Sequence, residues 1–193
     1  MLLPTACPGC RATGPAPCAA CRAAVRPAPA LPPPPGVQWC AALMAYDGVG
    51  REIVARFKYA NARAALAWLA AEMAVLAGAA RTDVVSWVPT TPGRRRARGF
   101  DHGRLLAVAV ARRLGVPCRP LLVRLPGPAQ TGRTRAERLA GPRLVVLGRI
   151  AVPARVLLVD DVVTTGATLS AAARALCAAG AEEVAAVAAA RRA

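Results

Sequence analysis

The 193-residue sequence predicts an α/β protein: a doubly wound, mostly parallel sheet with a small metal-holding segment at its N-terminus. Three observations carry that expectation. Strand-length apolar runs alternate with helix-period segments from about residue 50 onward, as in strands joined by crossover helices. One run, Val156-Leu157-Leu158-Val159, has no polar alternation and suits a strand buried on both faces. Four cysteines form two CxxC units ahead of a proline run.

The chain opens with Cys7-Pro-Gly-Cys10 and Cys18-Ala-Ala-Cys21. Each CxxC turn aims two thiolates at one point, and two such turns complete a tetrahedral Zn²⁺ site that can order a segment too short for its own core. Redox-active or inert thiols are the competing readings. The seven residues between the units leave room for little more than a tight hairpin or loop. Cys118 and Cys177 lie in apolar stretches and read as small core residues, whereas Cys40 admits either role. Arg26 to Gly36, with Pro32-Pro33-Pro34-Pro35, predicts an extended spacer. The expected organisation is a knuckle over 1–25, a linker over 26–38 and an α/β domain over 39–193. No basic start or long apolar stretch marks a secretory signal, and Glu72, Arg174, Glu182 and Glu183 interrupt the most apolar segments, so a cytoplasmic protein without a membrane span is expected.

Beyond the linker, periodicity predicts helices near Gly50–Tyr59 and over Ala62–Ala77, the latter with Leu66, Leu69, Met73 and Leu76 on one face. A strand over Asp83–Val88, a helix over His102–Leu114 and a strand near Val116–Val123 follow. After a long basic loop come strands near Leu144–Leu147 and Arg155–Val159, a helix over Ser170–Gly180 and a last strand over Glu183–Ala189.

The segment between the last helix and the strand before it is the most informative in the chain. Asp160 and Asp161 fall at the expected carboxyl end of the strand, where open α/β sheets bind ligands. Adjacent carboxylates can accept hydrogen bonds from vicinal hydroxyls and attract a divalent cation. Thr164, Thr165, Gly166, Ala167 and Thr168 then supply hydroxyls and a glycine where backbone N–H groups and the positive helix end converge, a setting for phosphate. A buried strand ending in an Asp turn is the plainer alternative. The order and types of these residues resemble the phosphoribosyl diphosphate (PRPP) motif of type I phosphoribosyltransferases. That resemblance implies a type I phosphoribosyltransferase-like fold, with the acidic pair on the ribose hydroxyls and the loop amides on the 5′-phosphate.

Strand 84–88 runs into Pro89-Thr90-Thr91-Pro92-Gly93-Arg94-Arg95-Arg96-Ala97-Arg98-Gly99-Phe100, whose position matches that family's pyrophosphate loop; its arginines could hold a diphosphate or form a solvated basic loop. Lys58, the only lysine, is either a wanted point charge or a snorkelling surface residue. The stretch Arg124 to Arg143, with Gln130, Arg133 and Arg138, reads either as a basic lid over an anionic ligand or as a disordered loop. Taken with the CxxC pairs, Tyr46-Asp47-Gly48, Phe57-Lys58-Tyr59, Val88-Pro89 and Arg98-Gly99-Phe100, the sequence resembles the ComF family over almost its whole length. These are phosphoribosyltransferase-like proteins with an N-terminal zinc ribbon, linked to bacterial competence for DNA uptake. The chain departs from the family pattern at Asp101-His102, where Asn-Gln is usual.

A net charge of +16 favours polyanions or phosphorylated ligands, although the arginine bias matches that of a GC-rich genome. Two functions follow. In one, an enzyme uses PRPP with Mg²⁺: Asp160 and Asp161 orient the ribose and stabilise charge at C1, Thr164 to Thr168 holds the 5′-phosphate, and Lys58 and Arg98 neutralise the departing diphosphate. In the other, the protein is a single-stranded-DNA-binding accessory of transformation that works with competence proteins, stacking bases on Trp39, Tyr59, Trp87 or Phe100.

Overall fold

A computed structural model describes residues 5–59, 63–78, 80–91, 93, 96, 99–125, 141–148 and 150–192. Four parallel strands form the main sheet: β1 (Trp39–Ala45), β2 (Val84–Trp87), β5 (Arg155–Val163) and β6 (Glu183–Arg191), in the order β1-β6-β5-β2. The second, antiparallel sheet pairs β3 (Leu122–Arg124) with β4 (Leu144–Val146). Between them run α1 (Ala19–Ala23), α2 (Gly48–Tyr59), α3 (Leu66–Ala77, entered through a 3₁₀ turn at Arg63–Ala65), α4 (His102–Leu114) and α5 (Ala167–Cys177).

The sheet is doubly wound because alternate residues of the same strand feed two different cores. Leu157 and Val159 of β5 and Val187 and Ala189 of β6 pack with Ile53, Phe57, Leu69, Met73, Leu106 and Val110 from α2, α3 and α4. On the opposite face Val156, Leu158, Val184, Ala186 and Ala188 meet Leu169, Ala172 and Leu176 of α5 and Leu122 beside them. A strand covered twice has no solvent face, which is why its sequence shows no polar alternation. Arg155 locks the base of the sheet: its guanidinium and its backbone N–H both donate to the Asp83 carboxylate, aligning the starts of β5 and β2.

Several element boundaries differ from those the sequence predicts. β1 was not anticipated at all. Its composition, Trp-Cys-Ala-Ala-Leu-Met-Ala, carries no strand signal, and it is extended because every step pairs with β6, from Trp39 opposite Ala185 to Ala45 opposite Arg191. β5 continues past Val159 to Val163, since β6 goes on pairing through Asp160–Ala188 and Val163–Arg191. The acidic pair therefore lies within the strand rather than after it. α5 begins at Ala167, earlier than Ser170, with Gly166 in the left-handed region (φ 74°) at its cap, and it ends at Cys177. The strand expected near 116–123 is split: Cys118 makes a single parallel bridge to Val85, and β3 starts at Leu122.

The proline segment, expected as an extended spacer, is held at several points along its length. Arg26 pairs with Asp47, Pro27 bridges to Met44, and the Arg191 guanidinium donates to the carbonyls of Leu31 (3.2 Å) and Pro32 (3.0 Å). Pro34 then lies over Gly166, so close that a Cβ placed on that glycine would sit 2.6 Å from the proline ring.

Candidate functional site

Parallel strands deliver their carboxyl ends to one edge, and a cleft of about 390 Å³ opens there. β1 contributes Tyr46, which follows its last residue; β2 leads into Val88, Pro89 and Thr90; β5 contributes Asp160, Asp161 and Val162; Thr164 and Thr168 flank the turn into α5. Lys58 enters from the last turn of α2, Arg124 from the end of β3, and Asp101 and Gly103 from the start of α4. Of the residues singled out in the sequence, Lys58, Asp160, Asp161, Thr164 and Thr168 line this cleft together. Thr165, Gly166 and Ala167 form the turn behind them: the Ala167 N–H faces Thr165 Oγ1 at 3.4 Å, and the Gly166 carbonyl accepts from Ser170. Arg98 lies outside the described residues, as do Arg94, Arg95 and the greater part of the basic stretch, 126–140.

Lys58 and Arg124 share the cleft with the carboxylates of Asp101, Asp160 and Asp161. Lys58 Nζ stands 2.7 Å from Asp161 Oδ1. Asp160 accepts the backbone N–H of Asp161 at 2.8 Å, which fixes its carboxylate. Burial, reinforced by the neighbouring Asp161 charge, pushes the Asp160 carboxyl up to about 7, with Lys58 and Arg124 acting in the opposite direction. A cation or a set of hydroxyl donors entering the cleft would favour its ionised form. Arg124 is steered to the rim by a 3.0 Å bond from its Nε to the Pro89 carbonyl.

Tyr46, Asp101 and Arg124, which the sequence named only as parts of a motif, a departure and the basic stretch, also line the cleft, as does Gly103, which it did not name. The place of Tyr46 in the cleft could not be read because β1 could not; once that strand is known, the residue after its carboxyl end belongs to the ligand edge. Asp101 caps α4, accepting from the Arg104 N–H (3.3 Å) and from Trp87 Nε1 (3.3 Å). His102 is buried (2% exposed) at the edge of the cleft, with its ring against Phe57 and Phe100.

At the other end of the chain the four cysteines converge. The Sγ atoms of Cys7, Cys10, Cys18 and Cys21 all lie within 4.8 Å of one another, and Cys10 and Cys18 are 3.8 Å apart. A tetrahedron with Zn–S bonds of about 2.3 Å needs sulfur separations of about 3.8 Å, so the four residues fit such an ion. Bonds from Cys7 N–H to Ala12, Arg11 N–H to Cys7 and Gly14 N–H to Thr5 fold the first unit into a tight turn, and Cys18 caps the short α1 that carries Cys21. Gly9 is required here, because a Cβ would meet Cys21 Sγ and Val49. Burial raises both inner thiols, but at Cys7 backbone N–H groups of Cys18, Cys10 and Gly9 outweigh it and bring the group down to about 6. Burial and the three other sulfurs push Cys21 up to about 12. Such a set would release protons on taking up a cation. The raised Cys40 and Cys118 thiols owe their shift to burial, and both lie far along the chain from the cluster.

A second, larger cavity of about 1100 Å³ adjoins the cleft, sharing Pro89 and Asp101 with it. Trp87, Phe100, Leu105 and Val108 form its apolar walls, with Arg96 and Arg104 at its exposed side.

Residues 101–193 match the family described as phosphoribosyl transferase domain. The matched segment runs from the cap of α4 through β6 and contains the acidic pair and its loop, but neither the knuckle nor Lys58. Among solved structures, the allosteric regulatory enzyme of purine biosynthesis is similar at 25% identity over 64% of this chain and 25% of its own, with a TM-score of 0.44. The glutamine PRPP amidotransferase of B. subtilis, complexed with ADP and GMP, gives 26% identity over 64% and 26%, also at 0.44. Adenine phosphoribosyltransferase of Thermoanaerobacter pseudethanolicus gives 21% identity over 68% and 71%, at 0.44. The chain thus spans about a quarter of the length of the first two. No curated protein matches it.

Proposed function

We propose that the chain binds PRPP and, with Mg²⁺, transfers its phosphoribosyl group to an acceptor nucleophile with release of diphosphate. The observation that carries this reading is the cleft itself: paired carboxylates on β5, hydroxyls at the α5 turn and Lys58 face one space of 390 Å³. The family match over residues 101–193 supports it.

In this reading Asp160 and Asp161 accept the ribose 2′ and 3′ hydroxyls and stabilise positive charge as the bond from C1 to the diphosphate breaks. The N-terminal amides of α5, with Thr164 and Thr168, hold the 5′-phosphate. Lys58 exchanges its contact with Asp161 for the diphosphate, aided by Arg124 and by Arg98. Mg²⁺ would supply charge neutralisation at the diphosphate oxygens. The cysteine knuckle holds Zn²⁺ through Cys7, Cys10, Cys18 and Cys21 in a structural role. The ComF resemblance of the sequence supports a link to DNA uptake, and the absence of a secretory signal pattern in the sequence supports a cytoplasmic location. Among the described residues no helix is long and apolar enough to cross a membrane.

Diphosphate release from PRPP and Mg²⁺, measured while acceptor mixtures are varied, tests turnover. Binding is tested by the rise in melting temperature with PRPP. The double variant Asp160→Asn with Asp161→Asn should lose that rise, and no rise in the native protein would end the reading.

The larger cavity favours a second reading, binding of single-stranded DNA by a transformation accessory. Trp87 and Phe100 offer stacking faces between Arg96 and Arg104, and the +16 charge favours phosphates. Affinity should then fall steeply with salt and drop on charge reversal of Arg96 and Arg104, whereas reversal of the remote Arg192 should change little. Equal losses from both sets would show diffuse attraction alone.

A further inference from the structure

We propose that the four-cysteine knuckle is an effector site for the cleft, and that Arg56 is the positioning residue through which metal occupancy and sugar-phosphate affinity are coupled. The inference rests on the reading of the cleft as a PRPP site and adds a means of regulating it.

The argument starts from one helix gripped at two places. Arg56 NH1 donates to the carbonyls of Pro8 and Gly9, each at 2.9 Å, and these are the two residues enclosed by Cys7 and Cys10. Its NH2 donates to Glu52 one turn earlier, at 3.1 Å, so the guanidinium is aimed by its own helix. The Arg56 side chain is only 21% exposed. Gly9 also lies close to Val49 at the start of the same helix, since a Cβ placed on it would stand 3.3 Å from that side chain. Two residues after Arg56 comes Lys58, whose Nζ is 2.7 Å from Asp161. At 100° per residue, positions two apart project to nearly opposite sides of a helix while rising only about 3 Å along it. The last turn of α2 is thus held on one side by the CxxC turn and on the other by the acidic pair.

The two grips differ in what maintains them. Asp161 belongs to a strand paired with β6 on both sides of it, through Asp160 and Val162. The CxxC turn belongs to a segment in which only Cys7, Pro8, Pro17 and Cys21 are buried, two of them metal-binding candidates. Its shape depends on four sulfurs sharing an ion, as expected for a segment without a core. When the turn loosens, the two carbonyls leave Arg56, the end of α2 loses one of its supports, and Lys58 is no longer presented to the diphosphate side of the cleft. A second tie acts in the same direction: Arg26, five residues after Cys21, pairs with Asp47 immediately before α2.

Coupling of this kind is reciprocal, so each ligand must tighten the other by the same factor. Zinc-loaded protein should bind PRPP with Mg²⁺ about tenfold more tightly than chelator-stripped protein, within the range of roughly 5 to 150-fold typical of such couplings. PRPP should raise zinc affinity equally, read by competition with a chromogenic chelator, a measurement that needs no turnover and no variant. Arg56→Ala should keep one zinc per chain yet reduce both factors to near one, and Arg56→Lys, able to reach one carbonyl, should restore part of them.

Absence of PRPP binding to zinc-loaded native protein overturns the reading of the cleft and the coupling together. Native binding that is equal with and without zinc, or a zinc affinity indifferent to PRPP, overturns the coupling alone. So does full coupling in Arg56→Ala. Should that variant fail to fold, the reciprocal measurement on native protein decides by itself.

Discussion

The cysteine knuckle and the β5–α5 turn are both short grips built from a dozen or so residues, yet they are held in opposite ways. In the knuckle two of the four side chains that would bind are among its few buried ones: Cys7 and Cys21 are 1% and 6% exposed, while Cys10 is exposed and Cys18 half-buried. In the β5–α5 turn the labour is divided. Val156, Leu157, Leu158 and Val159 are buried and carry no polar atoms, while Asp160, Asp161, Thr164 and Thr168 face the cleft and contribute little to the core. A grip that is its own core depends on its ligand, whereas one mounted on a separate core can stay assembled and wait. Stored charge follows the same division. The turn keeps a raised carboxyl ready in Asp160, and the knuckle spreads its thiols between a lowered Cys7 and a raised Cys21.

The sharpest way to break this contrast is to remove the metal. Chelation should abolish amide-exchange protection across 5–25 while leaving 155–163 and 183–191 protected, since metal binding in small zinc segments amounts to roughly 10–16 kcal/mol of folding free energy. Cys7→Ser with Cys18→Ser should lower bound zinc from about one equivalent per chain to none, by metal analysis. Loss of protection in both regions would show that the knuckle supports the sheet as well. The next effect comes from the core beneath the turn. Leu158→Ala should cost about 2–5 kcal/mol by urea unfolding, because Leu158 is fully buried between the sheet and α5.

Asp160 gives a smaller effect with a defined sign. Its folded-state carboxyl is raised, so the native chain holds a proton that the unfolded chain has already lost. That contribution to stability is complete below about pH 4 and is lost as pH rises through about 7. Asp160→Asn should flatten this decline and, in ligand-free protein at pH 8, raise stability by something on the order of 3 kcal/mol, measured by denaturation across pH. A decline that persists in the variant would place the titrating group elsewhere. Smallest is Asp101→Ala, expected to cost about 1 kcal/mol as a lost helix cap and to alter Trp87 fluorescence through the lost Nε1 contact.

How much of this was legible in the sequence depended on whether local or distant residues fix each element. The Val156–Val159 run, the α4 helix from His102 to Leu114 and the CxxC units could be read because their own composition or spacing dictates them. β1 could not, because Trp39–Ala45 is extended only through pairing with β6, some 146 residues away. Tyr46 could be named within a motif, but its place at the ligand edge could not be read for the same reason. The strand end at Val159 was placed early for a related reason: Asp160 and Asp161 have poor strand propensity, but pairing with Ala188 and Ala190 overrides it. Lys58 could be flagged as the only lysine, but its partner Asp161 lies 103 positions on, a distance that only the fold closes. For the proline segment the composition speaks of local extension but not of its contacts, which come from Arg191 at the far end of the chain and, through Arg26, from Asp47.

The contact between Pro34 and Gly166 restricts how the sequence can change. Gly166 lacks a side chain for two independent reasons: its φ of 74° disfavours one, and the proline ring fills the space a Cβ would occupy. Exchange of the glycine therefore cannot be rescued by relaxing the turn alone; the ring opposite must retreat as well. Positions 34 and 166 form a pair in which a change at the second requires a change at the first, although one belongs to a stretch whose composition reads as filler. In a set of natural variants, a residue with a side chain at 166 should occur only where the ring at 34 has gone.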